Sequence, residues 1–162
     1  LILAAQHYPS ACFYGFDVSN AMLATARASV ERWGLAHCIT LAQADASRFD
    51  ARATFGLDGF DRVFVSYALS MIPPWREAIA HAFEAVAPDG SLHIVDFGEQ
   101  SQLPSLFRAG LRAWLRKFSV YPRADIESVL RQLANETGAD LTFTRPFRDY
   151  ACSAVLRKPG RA

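Results

Sequence analysis

The sequence is poor in the residues that build disulfide frameworks and metal centres. Its three cysteines, Cys12, Cys38 and Cys152, are widely separated and odd in number, which argues against a disulfide framework and a zinc cluster alike. The four histidines show no metal-ligand spacing, so we predict no metal site. A chain without disulfides is typical of a reducing compartment, and a cytoplasmic location is the default expectation.

The chain also lacks a strong charge of one sign and a long apolar run. A formal net charge of +1 gives no electrostatic footprint for nucleic acid, so we predict no nucleic-acid partner. No apolar run reaches the roughly 20 residues that a membrane-spanning helix needs, and no segment resembles a secretory signal. These absences favour a soluble globular protein.

What the sequence does contain is an alternation of strand-like and helical segments. Its 162 residues, 51% of them hydrophobic, suffice for one globular domain with a sizeable core. Strands are predicted at "ACFYGFDV", "CITLAQAD", "FDRVFVSYALS" and "SLHIVDF", and the third is apolar enough to be buried on both faces. The alternation predicts an α/β fold with a doubly wound, mostly parallel sheet. The segments "ADLTFTR" and "YACSAVLRK" predict a C-terminal antiparallel strand pair.

Local signals mark the ends of several helices. Ser19 and Asn20 are the two candidate N-caps of the helix that follows the first strand. The double proline Pro73–Pro74 starts another helix, and the segment "PDG" turns the chain into the fourth strand. A later helix is expected to end at Gly138.

Polar side chains follow the four predicted parallel strands. These residues are Asp17, Asp45, Ser66 with Tyr67, and Asp96. In an open α/β sheet, ligands bind outside the carboxyl ends of the strands. An aspartate at that edge can accept hydrogen bonds from both hydroxyls of a ribose. A ribose-containing cofactor is one hypothesis, and capping of the following helix or turn by the same aspartates is the other.

The order and spacing of four segments resemble the class I S-adenosylmethionine-dependent methyltransferases. The segments are "FYGFDVSNAMLATARA", "LAQADA", "FDRVFVSYALSMIP" and "VAPDGSLHIVDF", and the likeness extends to about residue 97. The resemblance implies a Rossmann-like fold and S-adenosylmethionine as cofactor. It also implies that residues 1–162 are a single methyltransferase domain without the family's first strand and glycine-rich loop, which would lie just before Leu1.

The same resemblance implies a set of cofactor contacts. They are Asp17 for the ribose, Val18 and Met22 near the adenine, Asp45 for the adenine amino group with Ala46 beside it, and Ser66 near the methionine end. Tyr67 follows beside the expected methyl group, and it is the candidate catalytic residue because a phenol can orient an amine or accept its proton. The alternative for Tyr67 is a core aromatic.

Two further segments narrow the substrate. "SYALSMIPPW" and "VDFGEQSQLPSLFRAGLRAWLRKFSVYPR" resemble the bacterial betaine-lipid methyltransferases, which methylate the amine of diacylglyceryl-homoserine. This resemblance implies N-methylation of a lipid amine. We predict Ser70, Trp75 and Asp96 as substrate contacts. Trp75 could shape the acceptor pocket or stack on a cationic amine, and Asp96 is the second candidate, after Tyr67, to orient the amine or take its proton. Trp75 could equally be an apolar residue at a helix start. Methylation of a soluble small-molecule amine and a noncatalytic fragment that keeps the fold are the alternatives. A nicotinamide-dependent oxidoreductase is disfavoured by "PDGSLHIVDF" and the terminal strand pair.

The segment from Leu103 to Phe118 has apolar residues at three- and four-residue spacing together with four basic residues. Such a helix can lie at an anionic membrane surface, which would give peripheral contact with the inner membrane. An apolar stripe of this kind also packs against a domain core in many soluble proteins. Both interpretations stay open on the sequence alone.

Overall fold

Six strands in two sheets organise the computed structural model, which describes residues 1–100, 110, 117 and 120–160. β1 (Phe13–Asp17) and β2 (Ile39–Gln43) form a two-stranded parallel sheet. β3 (Phe60–Ser66), β4 (Val86–Phe97), β5 (Asp140–Thr144) and β6 (Ala151–Arg157) form the second sheet, in the order β3-β4-β6-β5. β3 and β4 are parallel, whereas β6 runs antiparallel to β4 and β5. The predicted α/β fold with a C-terminal antiparallel pair is confirmed.

The predicted parallel sheet is divided between β1 and β3. Among the described residues, each of these strands pairs on one edge only. Aromatic side chains connect the two sheets at this division: the ring centroids of Tyr14 in β1 and Phe60 in β3 lie 5.4 Å apart. Phe49, in the connection between β2 and β3, has its ring centroid 4.4 Å from that of Phe16 in β1 and 6.5 Å from that of Phe60. Side-chain packing, rather than backbone pairing, therefore holds the two sheets together here.

The helices lie between the strands, as the alternation predicts. They are α1 (Ile2–His7), α2 (Asn20–Arg32), α3 (Ala51–Phe55), α4 (Trp75–Glu84) and α5 (Ile126–Thr137), and a 3₁₀ turn spans Ala46–Arg48. Ser19 is the N-cap of α2, because its side chain accepts a hydrogen bond from the backbone N–H of Met22 at 3.3 Å. Gly138 ends α5 with φ of 70°, a left-handed conformation that glycine adopts without strain. Both predicted helix boundaries are confirmed.

The main core lies between the four-stranded sheet and helices α4 and α5. Its central side chains are at most 1% exposed and come from both helices, two strands and the loop after β3: Leu69, Ile79, Leu92, Leu130 and Leu156. Complete burial of such a side chain contributes about 1.5–3 kcal/mol. A second cluster, with Ala5, Val30 and Ile39, joins α1 and α2 to the two-stranded sheet.

Two predictions about strands are wrong. β3 is not buried on both faces: Val63 and Val65 pack against the core, but the alternating residue Phe64 is 70% exposed. Successive strand residues point to opposite faces, and α4 and α5 pack against only one of them. The segment "PDG" does not turn the chain before the fourth strand, because it lies within β4. It forms an irregularity in the pairing with β3, where Phe60 is opposite Val86 and Arg62 is opposite Ser91.

The predicted basic helix between residues 103 and 118 lies outside the described residues, of which only 110 and 117 fall in that range. In the part of the chain that the structure describes, no helix is long and apolar enough to cross a membrane. The same part contains no group of three or more acidic, histidine or cysteine side chains that could bind a metal ion.

Candidate functional site

The strand-end residues come together as neighbours within each parallel pair. Asp17 ends β1 opposite Gln43 of β2, and Asp45 follows two residues later. In the other sheet, Ser66 is opposite Val95, so the residues after β3 lie next to those at the end of β4. The carboxyl ends of β1 to β4 therefore carry the predicted site.

Asp17 combines one fixed oxygen with one available oxygen. The half-buried side chain accepts a hydrogen bond from the backbone N–H of Ser19 at Oδ1, at 2.7 Å. Ser19, not Asp17, caps helix α2. No described residue hydrogen-bonds Oδ2. Asp17 is thus oriented by the start of the helix and can accept a donor from a ligand.

Asp45 has the turn-capping contacts that the alternative interpretation predicts. Its Oδ1 accepts hydrogen bonds from the backbone N–H of Ser47 at 2.9 Å and from the Ser47 hydroxyl at 2.8 Å. The backbone bond, more than the hydroxyl, lowers the pKa of Asp45 below its ordinary value of 3.8. Asp45 is therefore an exposed, ionised carboxylate whose second oxygen has no partner among the described residues.

The residues around Asp17 are those predicted to contact the nucleoside part of S-adenosylmethionine. Val18 and Met22 are 68% and 57% exposed, so apolar surface is in water beside the carboxylate. A planar base that covered them would remove this surface from water, while Asp17 accepted hydrogen bonds from the ribose. Ala46 is half-buried beside Asp45, and Ser66 is exposed at the end of β3.

Tyr67 has a strained backbone and an accessible ring. Its φ is 50°, a left-handed value that costs a residue other than glycine about 1–3 kcal/mol. The conformation is held by a 2.7 Å hydrogen bond from its backbone N–H to the carbonyl of Val95. The side chain is 39% exposed, and its ring centroid lies 4.9 Å from that of Phe97. Strain of this kind concentrates at functional sites.

The loop after Tyr67 is fixed from below by Asp96. This carboxylate is 2% exposed; it accepts hydrogen bonds from the backbone N–H of Ser70 at 3.1 Å and from that of Phe97 at 2.7 Å. The Ser70 side chain is completely buried, and its hydroxyl has no partner among the described residues. Arg123 supports the same loop, because its guanidinium donates to the carbonyls of Leu69 and Ile72 at 3.1 and 2.9 Å.

Trp75 lies in the core at the start of α4 and is 4% exposed. The guanidinium groups of Arg76 and Arg123 lie 4.6 and 5.8 Å from its ring centroid. Its ring therefore already has cationic neighbours. The assignment of Ser70, Trp75 and Asp96 to the substrate stays a prediction, and their contacts in this structure are those of residues that shape the loop.

Three residues at this edge were missed by sequence reasoning. Phe97 ends β4, Tyr150 precedes β6, and Arg123 precedes α5. The ring centroids of Phe97 and Tyr150 are 6.0 Å apart. Phe97 reads as an ordinary core residue of a strand, and Tyr150 comes next to it only through the antiparallel return of the chain. Only the position of Phe97 beside Asp96 was a signal.

An ion-pair network holds the chain that leads to Tyr150. Arg145 donates to Asp149 and to Glu127 of α5, each at 3.0 Å, and Arg131 reaches the same Glu127 at 2.7 Å. The hydrogen bond from Arg131, followed by that from Arg145, lowers the pKa of Glu127 below its ordinary 4.5. The turn Pro146–Asp149 is thereby tied to α5, although Phe147, Arg148 and Asp149 have positive φ.

Comparison with known proteins identifies the family. The model of a methyltransferase domain matches residues 1–90, more than half of the chain. The chain belongs to this methyltransferase family. A search of curated protein sequences gives no match.

Solved structures share the methyltransferase fold. An O-methyltransferase family protein from Burkholderia thailandensis superposes with a TM-score of 0.75 and 16% identity, over 99% of this chain and 48% of its own. Phosphoethanolamine N-methyltransferase 2 from Haemonchus contortus, solved with phosphomonomethylethanolamine and S-adenosylhomocysteine, has a TM-score of 0.72 and 17% identity, over 96% of this chain and 45% of its own. The cyclase SpnF has a TM-score of 0.70 and 15% identity, over 98% of this chain and 71% of its own. The chain spans about half the length of the first two proteins.

Proposed function

We propose that this methyltransferase domain transfers a methyl group from S-adenosylmethionine to an amine, and that the acceptor is a lipid amine of the diacylglyceryl-homoserine type. The observation that carries the proposal is the carboxyl edge of β1 to β3. There Asp17 keeps an open oxygen beside exposed apolar residues, and the strained Tyr67 follows β3. The proposal puts the nucleoside beside Asp17 and the acceptor amine beside the Tyr67 phenol.

The cofactor side of the proposal uses the residues after β1 and β2. Asp17 accepts hydrogen bonds from the ribose hydroxyls, and Asp45 accepts one from the adenine amino group. Val18, Met22 and Ala46 cover the base, and Ser66 lies near the methionine end. When bound, S-adenosylmethionine supplies a methyl group activated by its positively charged sulfur.

Tyr67 is the proposed catalytic residue. The amine must present its lone pair, so an N–H group of the acceptor donates to the Tyr67 hydroxyl, which fixes the direction of attack. Its backbone bond to Val95 keeps the phenol at the strand end. Asp96 is a positioning residue, because its carboxylate accepts a hydrogen bond from the N–H of Ser70 and so fixes the loop that follows Tyr67.

The complete cofactor site also needs the family's glycine-rich loop. In the proposed arrangement, the family's strand that leads into this loop lies between β1 and β3. Within the described ranges, β1 and β3 each pair on one edge only, which supports that placement. Titration with S-adenosylhomocysteine tests it: a longer natural protein that contains this chain should bind at least tenfold more tightly than residues 1–162.

The choice of an amine is supported by the resemblance to the betaine-lipid enzymes and by the fold shared with a phosphoethanolamine N-methyltransferase. A second candidate is methylation of a soluble acceptor, for which the O-methyltransferase family neighbour is a parallel. The cyclase SpnF shows that the fold also supports other chemistry. The noncatalytic alternative predicts no transfer to any acceptor.

The test is transfer of radiolabelled methyl groups to a panel of acceptors by the longest natural protein that contains the chain. Vesicles with diacylglyceryl-homoserine, free homoserine, phosphoethanolamine and a plant phenol cover the candidates. Labelling of the vesicle lipid alone supports the proposal. Preferential labelling of a soluble acceptor identifies that acceptor, and not the lipid, as the substrate. If no acceptor is labelled, the proposed methyl transfer is contradicted.

A further inference from the structure

We propose that the rings of Tyr67, Phe97 and Tyr150, here called the aromatic corner, bind the methylated ammonium group of the acceptor. The inference rests on the proposed function and specifies its substrate: an amine that becomes a permanent cation as methyl groups are added. None of the sequence patterns assigns this role to Phe97 or Tyr150.

Phe97 is the middle ring of the corner, in contact with Tyr67 on one side and with Tyr150 on the other. The planes of Tyr67 and Phe97 make an angle of 59° with centroids 4.9 Å apart, and those of Phe97 and Tyr150 make 79° at 6.0 Å. Tyr67 is 39% exposed, whereas Phe97 and Tyr150 are half-buried. The corner is therefore open to a ligand on the side of Tyr67.

Backbone hydrogen bonds fix the base of each ring. The N–H of Tyr67 donates to Val95 at 2.7 Å, and the N–H of Gly98 donates to the carbonyl of Tyr150 at 2.9 Å. The N–H of Phe97 donates to the buried carboxylate of Asp96. Because the backbone at each ring is fixed and the rings already pack against one another, little further ordering is needed when a ligand binds.

The chemistry of the corner suits a methylated ammonium ion. A fully methylated ammonium has no N–H donor, so it gains little from a hydrogen-bond acceptor, but it is attracted to the negative faces of aromatic rings within about 6 Å. The nearest strand-end carboxylate, Asp96, is buried and already accepts two backbone bonds. The ring of Trp75 is in the core beside Arg76 and Arg123. Tyr67, Phe97 and Tyr150 are thus the rings placed to meet the cation.

The corner includes the phenol proposed for catalysis, which gives Tyr67 two roles. Its hydroxyl orients an acceptor that still has an N–H group, and its face stabilises the positive charge that develops as the new C–N bond forms. The amine nitrogen then releases a proton to solvent before each further methylation. Successive methylation at one site follows from this arrangement.

The experiment measures binding of choline, and of its uncharged analogue 3,3-dimethylbutan-1-ol, to residues 1–162 without cofactor, by titration calorimetry or ligand-observed NMR. The two probes have the same shape and differ in charge. We expect choline to bind at least tenfold more tightly. Substitutions Tyr67→Leu, Phe97→Leu and Tyr150→Leu should each weaken choline binding by about 3- to 30-fold, while Tyr150→Phe retains it.

Phe64→Leu is the matched control, because Phe64 is an exposed aromatic of β3 whose ring stacks on His93 and lies outside the corner. It should leave choline binding unchanged. Near-ultraviolet circular dichroism checks that each variant is folded, and the comparison of the two probes on the unaltered chain needs no variant. Equal affinity for choline and dimethylbutanol, or equal loss in Phe64→Leu, overturns the proposal.

A sulfonium is also a cation, so the cofactor is the competing occupant of the corner. In a protein that binds S-adenosylmethionine, Tyr67→Leu should weaken S-adenosylmethionine and S-adenosylhomocysteine by the same factor if the rings serve the acceptor. Selective weakening of S-adenosylmethionine overturns the assignment. Ring-dependent choline binding without methyl transfer contradicts the proposed function alone, whereas methyl transfer to an amine without ring-dependent binding contradicts this inference alone.

Discussion

Substitution of Asp17 distinguishes cofactor binding from a purely local structural role, because one carboxylate oxygen accepts a backbone hydrogen bond and the other is available to a ligand. Asp17→Asn keeps a carbonyl oxygen that can accept from the N–H of Ser19, whereas Asp17→Ala removes both acceptors. We expect both variants to weaken S-adenosylhomocysteine binding, the alanine by about 1.5–3 kcal/mol for each lost charge-assisted hydrogen bond. Titration calorimetry on the longest cofactor-binding form measures the change.

Asp58→Ala is the control for Asp17, since Asp58 is a surface carboxylate paired with Arg52 at 3.2 Å. It should leave the dissociation constant unchanged. Full affinity of Asp17→Ala for the nucleoside contradicts the ribose assignment. If this variant also has a lower melting temperature than the unaltered protein, Asp17 only stabilises the turn.

Tyr67 makes a different prediction, because its proposed work begins after the cofactor has bound. Tyr67→Phe keeps the ring and its contact with Phe97 but removes the hydroxyl. Turnover of the amine should fall about 5- to 100-fold, because the orienting hydrogen bond contributes about 1–3 kcal/mol, with cofactor affinity nearly unchanged. Single-turnover kinetics beside a binding titration separate the two effects, and an unchanged rate removes Tyr67 from catalysis.

The turn between β5 and β6 approaches β4 so closely that Gly98 has no space for a side chain. A Cβ at Gly98 would collide with the carbonyl of Asp149, whose backbone is already left-handed. Gly98→Ala should therefore lower the free energy of unfolding by about 1–3 kcal/mol, as overpacking does. Gly138→Ala is the comparison, because that position is open and costs only about 1 kcal/mol for its positive φ. Urea denaturation measures both, and equal losses would mean that the turn gives way freely.

The link between α5 and this turn depends on pH through Glu127. Its pKa is lowered in the folded chain by bonds from Arg131 and Arg145. A carboxylate with a lowered folded pKa stabilises the fold above its unfolded value near 4.5 and loses that contribution as pH falls through the folded value. At pH values below 4.5, the midpoint of unfolding should decrease with falling pH less steeply in Glu127→Gln than in the unaltered chain. Parallel curves would show that the network adds nothing to stability.

The elements differ in how far their sequence determines them. Ser19 and Gly138 have local signals that act within a turn of helix, so the boundaries of α2 and α5 were predictable. The exposure of Phe64 was not predictable, because it depends on which helices cover each face of β3. The aromatic corner was also out of reach, since Tyr150 meets Phe97 only through antiparallel pairing across more than fifty residues. Local rules predict ends of elements, whereas tertiary pairing decides what meets at them.

The two sheets differ in the number of strands that protect each other. In the described part of the chain, β1 and β2 pair only with each other and have a small cluster around Val30 and Ile39, whereas β4 is paired on both edges within the larger core. A two-stranded unit is marginal by itself, so it should open at a lower free energy than the rest. Hydrogen exchange of residues 1–162 should show faster exchange at the amides of β1 than at those of β4.

The same measurement tests the proposed insertion of a strand between β1 and β3. If a strand upstream of Leu1 inserts between β1 and β3, the longer natural protein should protect amides on the free edges of both strands together. The amides of β6, which is already paired with β4 and β5, serve as the internal control and should not change. Protection of β1 alone would indicate a partner that leaves the two sheets separate. Simultaneous protection of both edges supports one inserted strand that hydrogen-bonds to β1 and to β3 and so joins the two parallel pairs into one sheet.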